Sequence, residues 1–130
     1  MSGFTGIGNA DGAACAAAYV TGGAFGAGAR LTGADLGAPL GARATLLQFS
    51  TAFCQPCRAT RRVLGEVAGM VDGVAHVEID AEANLDLVRR LEVVRTPTVL
   101  VLAADGHVVR RAGGAPRKPD VIAALGEAIA

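Results

Sequence analysis

Of the three cysteines in this chain of 130 residues, two stand in Phe53-Cys54-Gln55-Pro56-Cys57-Arg58, with two residues between them. A C-x-x-C pair can do two kinds of chemistry: it can cycle between dithiol and disulfide, or supply half of a zinc site. The zinc reading needs two further ligands, and the chain offers only Cys15, His76 and His107, with no second C-x-x-C and no closely spaced histidine pair. The redox reading needs a reactive thiolate. A free thiol with a pKa of about 8.5 is only about 3% thiolate at pH 7, whereas a value near 7 makes about half of it reactive. A helix N-terminus produces such a shift, because its unpaired N–H groups and the positive end of its dipole favour the anion. Pro56 suits a first helical turn, where its missing N–H has no intrahelical partner. Arg58, Arg61 and Arg62 follow and add positive potential near the sulfurs.

The elements that must place these thiols are a strand before them and a helix after them. Thr45-Leu46-Leu47-Gln48-Phe49 is a short apolar run that predicts a buried strand, and a helical pattern from about Cys57 to Met70 puts Cys57, Leu64, Val67 and Val71 on one face. Asp72-Gly73 ends it, and residues 74–79 (Val-Ala-His-Val-Glu-Ile) read as the next strand. A short helix is predicted over about 84–91, with Asn84 as N-cap, Arg89 and Arg90 in the last turn and Leu85, Val88 and Leu91 as its apolar stripe. Residues 98–102 form a buried-strand run. Asp105-Gly106 predicts a hairpin turn into a returning strand at 107–111. Pro119 opens a last helix whose apolar face is Val121, Ile122, Leu125 and Ile129. The predicted order is β-α-β-α-β-β-α.

The first 44 residues differ from the rest, holding 11 of the 18 glycines and 13 alanines. Such residues bury little, so the division expected is a Gly/Ala-rich extension over 1–40, flexible or loosely docked, and a folded domain over 41–130. Within the extension, Leu31 and Leu36 are the residues best able to dock. Gly12 to Ala29 carries no charge and approaches the roughly 20 residues that span a bilayer. Its bulky members are few, however, and no Lys or Arg precedes it, which argues against a membrane anchor or signal peptide. Twelve basic residues balance twelve acidic ones, and neither sign forms a long run, which argues against nucleic acid as a partner.

Over residues 43–130 the chain resembles the thioredoxin family. The resemblance is carried by residues 47–58 with the C-x-x-C, by residues 74–80, and by Val93-Val94-Arg95-Thr96-Pro97-Thr98 leading into an apolar strand and Asp105-Gly106. It implies an α/β thioredoxin fold, three layers α/β/α around a central mixed sheet, with a nucleophilic Cys54, a resolving Cys57 and a cis peptide bond before Pro97 facing them. It further implies that substrate lies against Phe53, Gln55, Pro56, Thr96, Pro97 and Gly113, with the backbone of Thr96 pairing to an extended segment. The implied activity is reduction of protein disulfides without metal or organic cofactor. The implied partners are disulfide-containing proteins and a thioredoxin-reductase-type electron donor, with a cytoplasmic location. Three positions depart from the family pattern. Phe53 replaces the usual tryptophan, Gln55 the usual glycine, and the buried acid and its lysine partner fall on Gln48 and His76. These two are therefore the candidate proton-relay positions, although Gln48 cannot accept a proton and only His76 titrates in the useful range. The lost acid keeps in view a binding module with weak turnover, and a charge-free N-terminal anchor would mark the other alternative, a specialised exported or membrane-tethered thiol reductase.

Overall fold

The computed structural model describes residues 30–130. The predicted Gly12 to Ala29 stretch and Cys15 lie outside the described residues. After a short helix α1 (Gly33–Leu36) come strand β1 (Ala44–Ser50), helix α2 (Gln55–Met70), strand β2 (Val74–Asp80), a 3-10 turn (Ala81–Ala83), helix α3 (Leu85–Arg90), strands β3 (Thr98–Ala103) and β4 (Val108–Gly113), and helix α4 (Lys118–Ile129). The sheet order is β2-β1-β3-β4. β1 runs parallel to β2 and antiparallel to β3, and β4 returns antiparallel to β3 with a register irregularity at Val101/Leu102. No helix of the described residues is long and apolar enough to cross a membrane.

Every residue of β1 is buried, as a central strand covered on both faces requires. Ala44 and Leu46 face a cluster made with Leu64 and Val67 of α2, Val99 and Val101 of β3, and Val121, Ala124, Leu125 and Ala128 of α4. Leu47 and Phe49 face the opposite cluster, with Val77, Ile79, Leu87, Leu91, Leu100 and Leu102. The result is the expected three-layer α/β/α arrangement around a mixed sheet.

Two stripes depart from expectation. In α3 the buried residue is Leu87, joined by Leu91 at the C-cap, with Val88 partly buried, whereas Leu85 is exposed. Asn84, between the 3-10 turn and α3, stands at the N-cap position but makes no capping bond. Its Nδ2 donates to the Asp80 carbonyl instead. In α4 the spacing Val121, Ala124, Leu125, Ala128 takes the core and Ile122 faces outward.

The chain ahead of β1 is anchored at the far end of the sheet. The Leu31 N–H donates to the Gly106 carbonyl at 2.9 Å, Arg30 bridges to His107, and the Arg30 guanidinium pairs with Asp105 at 3.2 Å. Thr32 and Asp35 form a reciprocal capping box on α1, which ends at a left-handed Gly37. Leu31 is fully buried and Leu36 nearly so, both within the cluster of Leu47 and Phe49. Gly106 permits this. Its φ is +92°, and a Cβ there would stand 2.0 Å from the Leu31 carbonyl oxygen.

Candidate active site

β1 ends at Ser50, and three residues later the chain turns into α2. Phe53 makes the turn with φ of 62°, its side chain 100% exposed. Cys54 is the N-cap of α2, and Pro56 lies in the first turn. Where a serine or aspartate side chain would ordinarily accept a backbone bond, the Cys54 Sγ accepts from the Cys57 N–H at 3.2 Å. Helix α2 thus begins two residues earlier than its apolar period predicts. Cys54 and Cys57 are joined as a disulfide with their Cα atoms 5.2 Å apart. The two sulfurs are not equivalent: Cys54 is partly exposed, while Cys57 is 1% exposed.

Beneath α2 lies a polar network. Gln48 is fully buried, and its Nε2 donates both to the Cys57 carbonyl and to Ser50 Oγ, each at 2.9 Å. Both amide hydrogens being used, the Oε1 faces His76 Nε2 at 3.1 Å as an acceptor, so the His76 proton resides on Nε2. The Ser50 hydroxyl donates a hydrogen bond to Glu78 Oε2 at 2.8 Å. Glu78 in turn is gripped by the Arg61 fork at 2.7 and 2.8 Å. The parallel register explains the cluster, because it sets Leu46 beside His76, Gln48 beside Glu78 and Ser50 beside Asp80 on neighbouring strands.

Charge follows from these contacts. The Arg61 hydrogen bonds hold the Glu78 carboxyl below its ordinary range, against the opposing effect of partial burial, and Ser50 adds to the lowering. Burial pushes His76 below the usual imidazole value, against the attraction of Glu78 and helped slightly by Arg61. His76 is therefore a neutral imidazole at pH 7, donating to an amide.

The second loop of the site arrives through the sheet. The Thr96–Pro97 peptide bond is cis, as the resemblance implies. Thr96 Oγ1 is 3.0 Å from Thr51 Oγ1, tying this loop to the segment that carries the cysteines. The Thr98 hydroxyl donates to the Arg95 carbonyl at 2.6 Å. Gly113 is buried opposite Thr98 across the β3/β4 ladder, and the Gly114 N–H donates to the Pro97 carbonyl at 2.8 Å. Phe53, Cys54, Gln55 and Pro56 thus share the α2 terminus, Thr96 and Pro97 are linked to it through Thr51, and Gly113 flanks Pro97 from the sheet side. The residues that sequence reasoning missed are Thr51, Ser50 and Glu78 around the polar network and the 86% exposed Val94. The alternation of His76, Glu78 and Asp80 in an otherwise apolar strand was the available signal for the network, since it sets polar groups on the face that α2 covers.

The family model described as Thioredoxin matches residues 38–127. The chain belongs to the thioredoxin family. A thioredoxin of Mycolicibacterium smegmatis is 34% identical over 87 residues, covering 65% of this chain and 77% of that relative. Among solved structures, chloroplastic thioredoxin z aligns at a TM-score of 0.59 with 26% identity, over 66% of this chain and 78% of that one. A mutant thioredoxin from Halobacterium salinarum NRC-1 aligns at 0.62 with 23% identity, over 68% and 76% of the two chains, a likeness of fold. With the cysteine pair at disulfide distance, this thioredoxin-family chain is a thiol–disulfide oxidoreductase that reduces protein disulfides. Its partners are accordingly disulfide-containing substrates and reductase-type donors.

Proposed function

We propose that Cys54 is the attacking nucleophile and Cys57 the resolving thiol. The observation that carries this assignment is the asymmetry at the α2 N-terminus. Cys54 is the accessible sulfur and accepts the Cys57 backbone N–H, which stabilises its thiolate, whereas Cys57 is enclosed. In the reduced enzyme the Cys54 thiolate attacks one sulfur of a substrate disulfide, and the other substrate sulfur leaves as a thiolate that takes up a proton. Cys57 then gives up its proton and attacks the Cys54 sulfur. The second substrate thiol is released, and two electrons have passed from the enzyme dithiol to the substrate. A thioredoxin-reductase-type donor returns them. Phe53, Gln55, Pro56, Thr96, Pro97 and Gly113 form the substrate surface, with the Thr96 backbone as the pairing edge. The protein works in the cytoplasm through a catalytic unit over 41–130, with residues 1–40 as an appendage whose last part docks through Leu31 and Leu36.

Gln48 and His76 serve this reaction by position. Neither side chain bonds a sulfur; Gln48 holds the Cys57 carbonyl, and His76 fixes which way the Gln48 amide points. Insulin reduction driven by dithiothreitol tests the cysteine roles. Cys54→Ser abolishes turnover, and Cys57→Ser accumulates mixed disulfides through Cys54. Equal alkylation of the two reduced thiols by iodoacetamide at pH 7 would overturn the assignment.

A further inference from the structure

The three arginines of the first α2 turns and the one beside Thr96 are not used by the chemistry above. Cys54, Arg58 and Arg62 stand at four-residue intervals, which places both guanidinium groups on the helical stripe that begins at the nucleophile. Both are exposed. Arg61 is neutralised by Glu78, but among the described residues no carboxylate pairs with Arg58 or Arg62. On the other loop Arg95 is exposed and equally without an ion pair among the described residues, immediately before Thr96. Residues 51–62 and 93–98 contain four arginines and no acid. The bordering acids are Asp80, at the end of β2, and Glu92, after α3. Because the whole chain carries no formal net charge, this positive collar is local. The same two segments carry two exposed apolar side chains, Phe53 and Val94.

We propose that this collar selects protein disulfides flanked by acidic residues. The inference rests on the disulfide-reductase reading of the same site. A substrate strand lying along Thr96 passes between Arg95 and the Arg58/Arg62 stripe, so Asp or Glu within a few residues of the target cysteine meets a guanidinium on either side. Its neighbouring apolar residue covers Phe53. Complementary charge of this kind acts mainly on the encounter rate and on rejection of wrong partners. Its reach in physiological salt is about 8 Å, enough for flanking residues but not for the net charge of a distant domain.

The test uses two disulfide-closed peptides identical except that the residues flanking one cysteine are Glu in one and Lys in the other. Second-order rates of reduction by the full chain are each divided by the rate with tris(hydroxypropyl)phosphine, an uncharged reductant, at the same salt, to remove the intrinsic reactivity of each disulfide. The expected normalised preference for the Glu peptide is about tenfold or more in low salt, shrinking toward one at 1 M salt, where screening acts within about 3 Å. Replacing Arg58→Gln, Arg62→Gln and Arg95→Gln together collapses the preference. Equal slowing of both peptides by these substitutions would mean that the arginines act only on the Cys54 thiolate, and would overturn the proposal. A preference absent at low salt, or one for Lys, would overturn it while leaving disulfide reduction standing. Reduction of neither peptide would overturn the reductase reading with it.

Discussion

The Cys54 sulfur acts in the place of an N-cap side chain, and this role is separable from its redox role. Serine is among the strongest N-capping residues, so in the reduced protein Cys54→Ser is expected to keep its thermal midpoint while losing all insulin reduction; calorimetry under reducing conditions checks the first half. Gln48 is constrained from three sides. Gln48→Asp shortens the side chain and removes both donors, leaving the Cys57 carbonyl without its partner in a buried place. The cost is about 1–3 kcal/mol for one orphaned buried group, read as a lower urea midpoint. The same substitution puts a carboxyl beside His76, its pKa raised by desolvation. Resolution of the mixed disulfide is therefore expected to become faster around neutral pH and dependent on pH. Stopped-flow rates that stay flat from pH 6 to 9 would show that a carboxyl here does not handle the Cys57 proton.

At the scale of elements, α1 has four residues and is far below the length at which a helix holds itself in water. Its stability comes from Leu31 and Leu36, which complete the cluster over Leu47 and Phe49. A chain beginning at Pro39 would retain every strand and the dithiol yet lose both leucines, where removal of a single buried leucine side chain costs about 2–5 kcal/mol. Against a typical total of about 5–15 kcal/mol, that loss is large. A chain beginning at Arg30 is therefore expected to unfold at clearly higher urea than one beginning at Pro39. Gly106→Ala is expected to approach the shorter chain, since the added methyl collides with the Leu31 backbone; hydrogen exchange at the Leu31 and Leu36 amides would report the release.

For the whole molecule the buried network makes stability depend on acidity in two stages. The folded pKa of His76 lies below its ordinary 6.5 because burial disfavours the cation, with Glu78 opposing and Arg61 assisting. The unfolded chain therefore binds more protons, and stability is full above about pH 6.5 and falls as the pH drops below it. Glu78, lowered from 4.5 chiefly by Arg61, adds a contribution that is present above that value and lost as the pH falls further. His76→Gln retains a donor toward Gln48 and is expected to flatten the first stage only; urea midpoints between pH 7.5 and 5 would show it. Much of this architecture was legible in the chain itself, because its signals are local. The apolar run of β1, the turn chemistry of Asp105-Gly106, and a C-x-x-C between strand and helix each depend on neighbours in sequence, and together they determined the element order, the sheet class and the reacting atoms. The tertiary structure alone decided which groups lie beneath those atoms. Gln48 meets His76 and Ser50 meets Glu78 across 28 residues of chain, through a parallel register that no local pattern encodes. It decided likewise that Leu31 belongs to the core, because two leucines in a Gly/Ala-rich stretch make no periodic pattern, and the burial of Leu31 depends on a close backbone approach to Gly106, 75 residues further along the chain.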